Sequence, residues 1–230
     1  MLEPLEVRPI SSAHRTFASL AERSIREMVL DGRLAPGDRV NEVELAGALG
    51  ISRGPLREAI QRLASQGLLT VRSHHGTTVK VFGREELREL YEVRIALEAF
   101  AVRVGAARTN NEQLESLSRL LAETQRLLSQ GGAEPYPSDL DFHRLLVALS
   151  GNSALIEMHA LTLQKIELAR SRSAQDPDRA REALQEHTAV LQALLDGNLE
   201  LAREALEDHL RRSLQSAGSI VKGPDVKDKD

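Results

Sequence analysis

The fold of the N-terminal third of this chain can be predicted from residues 49–63, LGISRGPLREAIQRL. The apolar side chains of this stretch recur every three or four positions, which is the pattern of a helix buried along one face. They are Leu56, Ala59, Ile60 and Leu63. Ser52 is a favoured N-cap residue, and Pro55 falls in the first turn, where a helix tolerates proline. These features predict a helix that begins near Arg53.

A second short helix is predicted just before this one. Residues 42–49 have an apolar face, and Gly50 suits the tight turn that ends a helix. Two helices this close together are typical of a helix-turn-helix, and a further helix is predicted over residues 20–29. After them, residues 68–72 and 77–81 predict two strands joined by a short turn. This is the pattern of a β-hairpin wing.

The rest of the chain has a helical pattern. We expect a flexible arm over residues 1–15, a winged helix-turn-helix over 16–81, an all-α antiparallel bundle over 82–217 and a disordered tail over 218–230. Loop-forming Gly, Asn, Asp and Pro residues separate the bundle into six helices. These are predicted over 84–108, 112–130, 137–150, 153–173, 179–196 and 199–217. The predicted fold class is therefore mainly α.

Composition excludes several classes of protein. The chain of 230 residues has no cysteine, so disulfide scaffolds and thiolate metal sites are excluded. No run approaches the roughly 18 apolar residues of a membrane span, and residues 1–17 lack the apolar core of a secretory signal. We therefore expect a cytoplasmic protein with no membrane partner.

Charge is unevenly distributed along the chain. The net charge is −4, from 30 Lys and Arg against 34 Asp and Glu. Residues 1–80 contain 11 basic and 9 acidic side chains, a balance of +2, whereas residues 81–230 contain 19 and 25, a balance of −6. Within residues 51–80, five basic residues accompany one acid. This stretch is a candidate surface for DNA phosphates.

Polar side chains on the predicted helix could read DNA. Arg53, Arg57 and Gln61 point away from its apolar stripe. In a major groove, arginine can bond to O6 and N7 of guanine or hold phosphates. At the wing tip, His75 can donate a hydrogen bond, and Gly76 allows the backbone to approach the minor groove. Because an arginine-bearing face can also be merely solvated, the pattern alone leaves DNA binding open.

The N-terminal third also resembles the GntR family of bacterial transcription regulators. The resemblance covers residues 25–81 and rests on LAPGD at 34–38 and on the stretch 49–63. It implies contacts with operator DNA from five residues. They are Ser52, Arg53, Arg57, His75 and Gly76. In the fatty-acid-responsive branch of the family an arginine stands where this chain has Val43, so a base or phosphate contact there is expected to be missing.

Four side chains in the predicted bundle could bind one metal ion. Asp139 and His143 are four positions apart and therefore lie one turn apart on the same helix face. His187 and His209 fall on the apolar faces of the last two helices. Three imidazoles and one carboxylate suit zinc, nickel or manganese, although each histidine could equally be a buried structural residue. Three other histidines are expected at the surface or in structural roles: His14, His74 and His159.

Residues 84–215 resemble the FCD domain, the effector domain of the FadR subfamily. The six-helix count resembles its shorter, VanR-like branch. Metal-binding members of this family carry an Asp-x-x-x-His pair and then a histidine on each of the last two helices. Asp139, His143, His187 and His209 match all four positions. The resemblance therefore implies a bound divalent metal ion, with zinc as the first candidate and nickel or manganese as the others.

Arg94 is an unusual residue for its position, because it lies between Leu90 and Leu97 on what should be an apolar face. A charge there needs a partner. It could form a buried pair with Glu98, or it could hold the carboxylate of a small organic acid. The resemblance of residues 94–98 to the FCD family favours the carboxylate.

The function expected from the sequence is that of a metabolite-responsive repressor. A homodimer would bind double-stranded operator DNA, and a small carboxylate effector in the metal-containing pocket would change its affinity for that DNA. Two alternatives are a metal-dependent hydrolytic enzyme and a DNA-binding protein with a purely structural dimerisation bundle. The enzyme has no support from a phosphate-binding loop or a nucleophile motif.

Overall fold

The computed structural model describes residues 16–105, 108, 110–130, 139–170 and 177–220. Within these ranges it contains nine helices and three strands. The helices are α1 (Phe17–Leu30), α2 (Glu42–Ala48), α3 (Arg53–Ser65), α4 (Arg84–Gly105), α5 (Asn111–Ser129), α6 (Asp139–Ala148), α7 (Ser153–Arg170), α8 (Pro177–Leu195) and α9 (Leu199–Ile220). The strands are β1 (Arg39–Val40), β2 (Leu69–Arg72) and β3 (Gly76–Val79). The predicted fold, a winged helix-turn-helix followed by a bundle of six helices, is confirmed.

The predicted helix bounds are close to the observed ones. Three bounds differ by three residues: α1 begins at Phe17, three residues early, α4 ends at Gly105, three residues early, and α9 continues to Ile220, three residues into the predicted tail. The predicted arm at 1–15 and the end of the predicted tail, 221–230, lie outside the described residues. The same holds for 137–138 and 171–173, where helices α6 and α7 were expected to begin and end.

One apolar cluster holds the N-terminal unit together. α1 packs against α3, and their facing side chains Ile25, Val29, Leu56 and Leu63 are fully buried. This packing leaves the opposite face of α3 in solvent, since the buried residues recur at helical spacing along one side. The basic face of the helix is therefore held outward by its apolar face.

The wing is a three-stranded antiparallel sheet with the order β1-β3-β2. Arg72 pairs with Gly76 at the tip of the hairpin, and Arg39 of β1 pairs with Thr78 of β3. Sequence analysis predicted the hairpin but not β1. A strand of two residues is too short to show an alternating pattern, so its pairing depends on the sheet beside it.

α4 is the central helix of the bundle. It packs against α6, α7 and α9, while α8 packs against α5 and α9. The inward side of α4 carries two fully buried charged residues, Arg94 and Glu98. The apolar core of the bundle includes Phe142, Leu146 and Leu206. Of the helices described, none combines the length and the apolar composition needed to cross a membrane.

α7 belongs to the bundle but also contacts the N-terminal unit. Leu168 near its end is fully buried in the apolar cluster of that unit. Arg26 of α1 donates a hydrogen bond from Nη1 to Oε1 of Gln164, with 2.6 Å between the atoms. The two parts of the chain are therefore joined by packing and by a polar contact.

Candidate nucleic-acid interface and metal centre

The helix α3 presents its predicted DNA-contacting side chains to solvent. Arg53, Arg57 and Gln61 are exposed. Ser52 is the N-cap residue, but its side chain makes no capping hydrogen bond, so the hydroxyl can bond another group. Arg57 Nε donates to Oε2 of Glu42 at 2.9 Å. This is a surface ion pair of the weak kind, which a DNA phosphate can replace.

The wing tip carries the other predicted DNA contacts. His75 and Gly76 are exposed, and both His74 and Gly76 have a positive φ, of 61° and 84°. A Cβ atom added to Gly76 would lie 3.3 Å from Nη2 of Arg39. The guanidinium of Arg39 therefore lies against the tip and adds a cation there. Sequence analysis missed Arg39, because only the pairing of β1 with β3 brings it to the wing.

The position where the sequence departs from the fatty-acid-responsive branch also faces solvent. Val43, on α2, is 58% exposed. Because its side chain has no polar atom, it can offer neither a hydrogen bond to a base nor a charge to a phosphate. The absence of a DNA contact at this position stays a prediction.

The four predicted metal-ligating residues converge at one point of the bundle. Asp139 and His143 come from α6, His187 from α8 and His209 from α9, and one ligand atom of each lies within 4.8 Å of the others. The three Nε2 atoms are 3.1, 3.1 and 3.2 Å apart. Nitrogens that share one metal ion at about 2.1 Å lie about 3.4 Å apart at the tetrahedral angle that zinc prefers and about 3 Å apart at 90°, and the observed separations fall between these values. The spacing therefore fits one divalent ion.

Carboxylates behind the rings orient two of the histidines. His143 Nδ1 lies 2.7 Å from Oε2 of Glu98, and His209 Nδ1 lies 2.6 Å from Oε2 of Glu186. When each Nδ1 donates its proton to the carboxylate, each Nε2 keeps its lone pair. These lone pairs then face one another in the protein interior. A cation between them would satisfy all of them at once.

Asp139 fits the same interpretation. Its Oδ1 atom is 3.4 Å from His187 Nε2, is buried, and has no hydrogen-bond partner within the described part of the chain. Its Oδ2 atom accepts a hydrogen bond from Nη1 of Arg170 at 3.0 Å. Burial would raise the pKa of Asp139, but His187 and Arg170 hold it well below its usual value. An ionised carboxylate therefore directs one unsatisfied oxygen at the imidazoles.

Two of the three histidines, His143 and His187, are held in the neutral form that metal binding requires. Burial lowers the pKa of His143 to about 4, and the charge of Arg94 adds to this effect while Glu98 opposes it. Burial also lowers the pKa of His187 well below its usual value. At neutral pH these imidazoles do not need to lose a proton before they bind a metal ion.

Glu98 connects the candidate metal centre to Arg94. While its Oε2 atom faces His143, its Oε1 atom accepts hydrogen bonds from Arg94 Nε at 2.7 Å and from His159 Nε2 at 2.9 Å. Burial would raise the pKa of Glu98, but His143 and Arg94 hold it well below its usual value. A single buried carboxylate thus orients three side chains from α4, α6 and α7.

The structure bears on both of the roles considered for Arg94. It forms the predicted buried ion pair with Glu98, yet its Nη1 and Nη2 atoms are buried without a hydrogen-bond partner among the described residues. Buried donors of this kind normally have partners. A carboxylate can accept from both terminal nitrogens of one arginine. These two nitrogens are therefore the atoms to which a carboxylate ligand would bind.

Sequence analysis missed several residues of this site. It considered Glu98 only as a partner of Arg94, and it gave no role to Glu186 or Arg170. In the sequence these residues are only charged side chains on predicted helices, and such side chains usually lie in solvent. His159 was expected at the surface or in a structural role, and it is a buried partner of Glu98. His74 is exposed on the wing, and His14 lies outside the described residues.

Two family profiles match the chain, one for each part of the fold. Residues 18–79 match the bacterial regulatory proteins of the gntR family, and residues 89–212 match the FCD domain. The FCD match covers more than half of the chain. Both families are known as parts of transcription regulators, which argues against the hydrolytic enzyme considered above.

Similar proteins support the same assignment. The chain is 31% identical to the Nta operon transcriptional regulator of Aminobacter aminovorans, over 85% of this chain and 92% of that one. It is 32% identical to the probable D-xylose utilization operon transcriptional repressor of Paenarthrobacter nicotinovorans, over 92% and 93%. The solved structure of McbR/YncC from E. coli shares the fold, with a TM-score of 0.71 at 24% identity over 90% and 99% of the two chains. The chain belongs to the GntR family of bacterial transcription regulators and carries an FCD domain after its DNA-binding domain.

Proposed function

We propose that the chain is a metabolite-responsive repressor that senses a small organic acid through a metal-containing pocket. One observation carries this proposal: three imidazole nitrogens and one unsatisfied carboxylate oxygen converge inside the bundle. A structural core would not gather unpaired acceptors in this way, because each would cost free energy without a partner. A cation and a carboxylate ligand satisfy the group together.

The DNA-reading part of the proposal concerns α3 and the wing. We assign Ser52, Arg53 and Arg57 to the major groove of a double-stranded operator, and His75 and Gly76 to the adjacent minor groove. Their exposure and the charge of α3 support this assignment. An arginine that bonds to guanine through two donors discriminates against other bases by about 1–3 kcal/mol.

The metal part concerns Asp139, His143, His187 and His209. They would hold one divalent ion, and zinc is the first candidate because imidazole nitrogen and carboxylate oxygen are common zinc ligands. Nickel and manganese are the alternatives. When bound, the ion supplies coordination positions for the oxygens of an effector. The residues of the chain provide the neutral imidazoles and keep them oriented through Glu98 and Glu186.

The effector part concerns Arg94. Its two terminal nitrogens are buried and lack partners, and its Nε is fixed by Glu98. A carboxylate that bonds to both nitrogens would neutralise a charge that is otherwise paired only on one side. The effector is therefore a small organic acid rather than a neutral sugar or a base.

The homodimer is proposed to form along the outer face of α4. Val93 and Phe100 are 46% and 38% exposed, with Ala96 between them, and Phe100 borders a groove of about 310 Å³ between α4 and α9. The first turns of α4 are acidic, whereas Arg103 lies in its last turn. Two copies packed antiparallel would bring each Arg103 near the acidic end of its partner. The symmetry of such a dimer matches two operator half-sites.

We propose that the effector releases the protein from its operator. One similar protein is named as a probable transcriptional repressor of a D-xylose utilization operon. By analogy, this chain would repress transcription until the effector binds. The effector would favour an arrangement of the winged units that no longer fits both half-sites. A regulator of this kind acts in the bacterial cytoplasm, where the operator is.

Zinc titration of metal-free protein tests the proposal. Wild-type chain, treated with a chelator and dialysed, should bind one zinc ion per chain by calorimetry. His187→Ala should weaken zinc binding at least about 100-fold while the helix content is retained, because one of four ligands is lost. His74→Asn is the matched control, since it removes an exposed histidine outside the bundle.

A screen of small organic acids completes the test. Zinc-loaded wild type should gain thermal stability from at least one mono- or dicarboxylic, sugar or aromatic acid, as expected for a ligand that binds only the folded state. Arg94→Met should lose that gain yet still bind zinc. Zinc binding of unchanged affinity in His187→Ala would show that the ion is not held at the proposed site, and no response of wild type to zinc or to any acid would favour a purely structural bundle.

A further inference from the structure

We propose that helix α7 transmits the state of the metal site to the DNA-reading helix. Arg170, at the C-terminal end of α7, is the residue that positions the metal-ligating Asp139. Gln164 is the residue through which α7 bonds to the N-terminal unit. This inference rests on the proposed function, because it concerns what ligand binding at the site does elsewhere.

The C-terminal end of α7 is bonded to Asp139, a candidate metal-ligating residue. Arg170, the last residue of α7, bonds through Nη1 to Oδ2 of Asp139 at 3.0 Å. The other oxygen of that carboxylate lies 3.4 Å from His187 Nε2 and has no hydrogen bond. One rigid carboxylate therefore faces the site on one side and α7 on the other. A shift of Asp139 toward an ion moves the partner of Arg170 by a similar distance.

A second contact ties α7 to the same site. His159 Nε2 lies 2.9 Å from Oε1 of Glu98, and that carboxylate also holds His143 and Arg94. Positions 159 and 170 are about three helical turns apart. α7 is therefore attached at two separated points, so a change in the site can shift or tilt the whole helix rather than one end.

The opposite side of α7 contacts the N-terminal unit. Gln164 accepts the 2.6 Å hydrogen bond from Arg26 of α1. Leu168 is fully buried in the apolar cluster of that unit, and among the described residues it is the one buried member from beyond residue 82. A Cβ atom added to Gly67, just after α3, would lie 3.1 Å from Cε of Lys165. α7 thus contacts both α1 and the end of the DNA-reading helix.

A short chain of polar contacts continues from α1 to α3. Arg26 Nη2 donates to Oε1 of Glu22 at 2.5 Å. Glu22 also accepts from Gln66 Nε2 at 3.2 Å, and its other oxygen lies 3.5 Å from Nη1 of Arg62. Arg62 belongs to α3, and Gln66 is its C-cap residue. A displacement at Gln164 therefore reaches α3 through directly bonded side chains and not through solvent.

Packed helices change position in discrete steps, since their side chains interlock at the density of a crystal. We therefore expect α7 to occupy two positions relative to α1, one for the empty metal site and one for the filled site. The operator-binding face would follow, because α1 and α3 form one packed unit.

Hydrogen–deuterium exchange of the full-length protein tests this inference, with zinc ion alone as the probe. In wild type, zinc should slow exchange in α6, α8 and α9, which carry the ligands. It should also change exchange in α1 and α3 by at least about fivefold, which is the lower end of usual allosteric coupling. Zinc affinity is measured on the same samples by calorimetry.

Variants then separate transmission from binding. Gln164→Ala should keep the wild-type zinc affinity and the local slowing, yet lose most of the distant change in α1 and α3. Gln164→Glu, which keeps an acceptor for Arg26, should restore it. Glu157→Ala is the matched control, because Glu157 is exposed on the same helix. Arg170→Met should also lose the distant change, and Arg170→Lys should recover part of it.

The outcomes distinguish this inference from the proposed function. Normal zinc binding with no change in α1 and α3 of wild type would overturn the inference and leave the metal site standing. Distant changes that persist in both Gln164→Ala and Arg170→Met would overturn it as well. Failure of wild type to bind zinc, nickel or manganese in the calorimeter would remove the proposed metal site and the inference with it.

Discussion

At the scale of single residues, Glu98 is the side chain that makes the site one unit. It holds His143 in the tautomer that exposes Nε2 and fixes Nε of Arg94, so the candidate metal ligand and the candidate carboxylate anchor share one support. Without Glu98, the buried guanidinium of Arg94 would lose the ion-pair partner that it has among the described residues. Such a buried charge costs several kcal/mol. The carboxylate therefore serves both the stability and the geometry of the site.

The lowered pKa of His143 predicts how the free energy of unfolding of the metal-free protein changes with pH. The pKa of His143 is about 4 in the fold, against an ordinary value of 6.5, so the unfolded chain takes up the proton first as pH falls. The stability that the fold has while His143 is neutral is fully present above about pH 6.5, and it is lost progressively between about pH 6.5 and pH 4. At about 1.4 kcal/mol per pKa unit, the free energy of unfolding should fall by up to about 3 kcal/mol.

Urea unfolding in the presence of a chelator, at several pH values between about 7 and 5, measures this effect. The variant His143→Asn lacks the titrating group and should show a flatter dependence. A wild-type free energy of unfolding that stays constant over this range would contradict the account of a buried neutral His143.

The sequence predicts some of these residues and not others for a physical reason. Asp139 and His143 share a helix, so their spacing alone places them together. His187 and His209 are predicted as ligands because they fall on the apolar faces of their helices and match the family pattern. Glu186, Arg170 and Arg39 act through contacts between elements distant in the chain. No local pattern reports such contacts.

At the scale of elements, two glycines in helices predict opposite responses to alanine. A Cβ atom at Gly105, the last residue of α4, would lie 3.2 Å from Cβ and 3.4 Å from the backbone carbon of Leu149. Gly105→Ala should therefore destabilise the protein by about 1–3 kcal/mol through overpacking. Gly47→Ala in α2 meets no atom within 4 Å and should stabilise it by about 0.5–1 kcal/mol through helix propensity.

Chemical unfolding of the two variants beside wild type checks this pair. Each serves as the control for the other, because both replace a helical glycine by the same residue. A neutral or stabilising Gly105→Ala would show that α4 does not approach the α6–α7 turn as closely as described.

Helices were more predictable than strands for a physical reason. The 22 residues of α4 contain several helical periods, so its apolar spacing is visible despite the buried Arg94 and Glu98. The two residues of β1 contain no period, and they become a strand only because β3 offers an edge beside them. The end of α9 was missed because its last turns are polar and resemble a tail.

At the scale of the whole molecule, the outer face of α4 predicts a dimer. Phe100→Asp places a charge on this face, which two copies would bury, and should convert the dimer to a monomer. By light scattering, the mass should fall from twice to once the chain mass of 25.3 kDa. Met158→Asp, at a 57% exposed position on α7, is the matched control and should stay dimeric.

We expect the proposed dimer to determine the operator affinity as well. The monomeric variant should bind a single half-site weakly and lose the tight binding to a paired site, because two linked modules bind far more strongly than one. A Phe100→Asp protein that remains dimeric would move the interface to another face of the bundle.

We propose that the buried site in the bundle controls how the winged unit binds DNA. Fluorescence anisotropy with a duplex selected from a random library tests it directly, by comparing the operator Kd of metal-free and zinc-loaded protein at fixed salt. We predict at least about a fivefold difference for wild type, in line with usual allosteric coupling, and none for His187→Ala. Equal affinities of the two wild-type forms would contradict the claim.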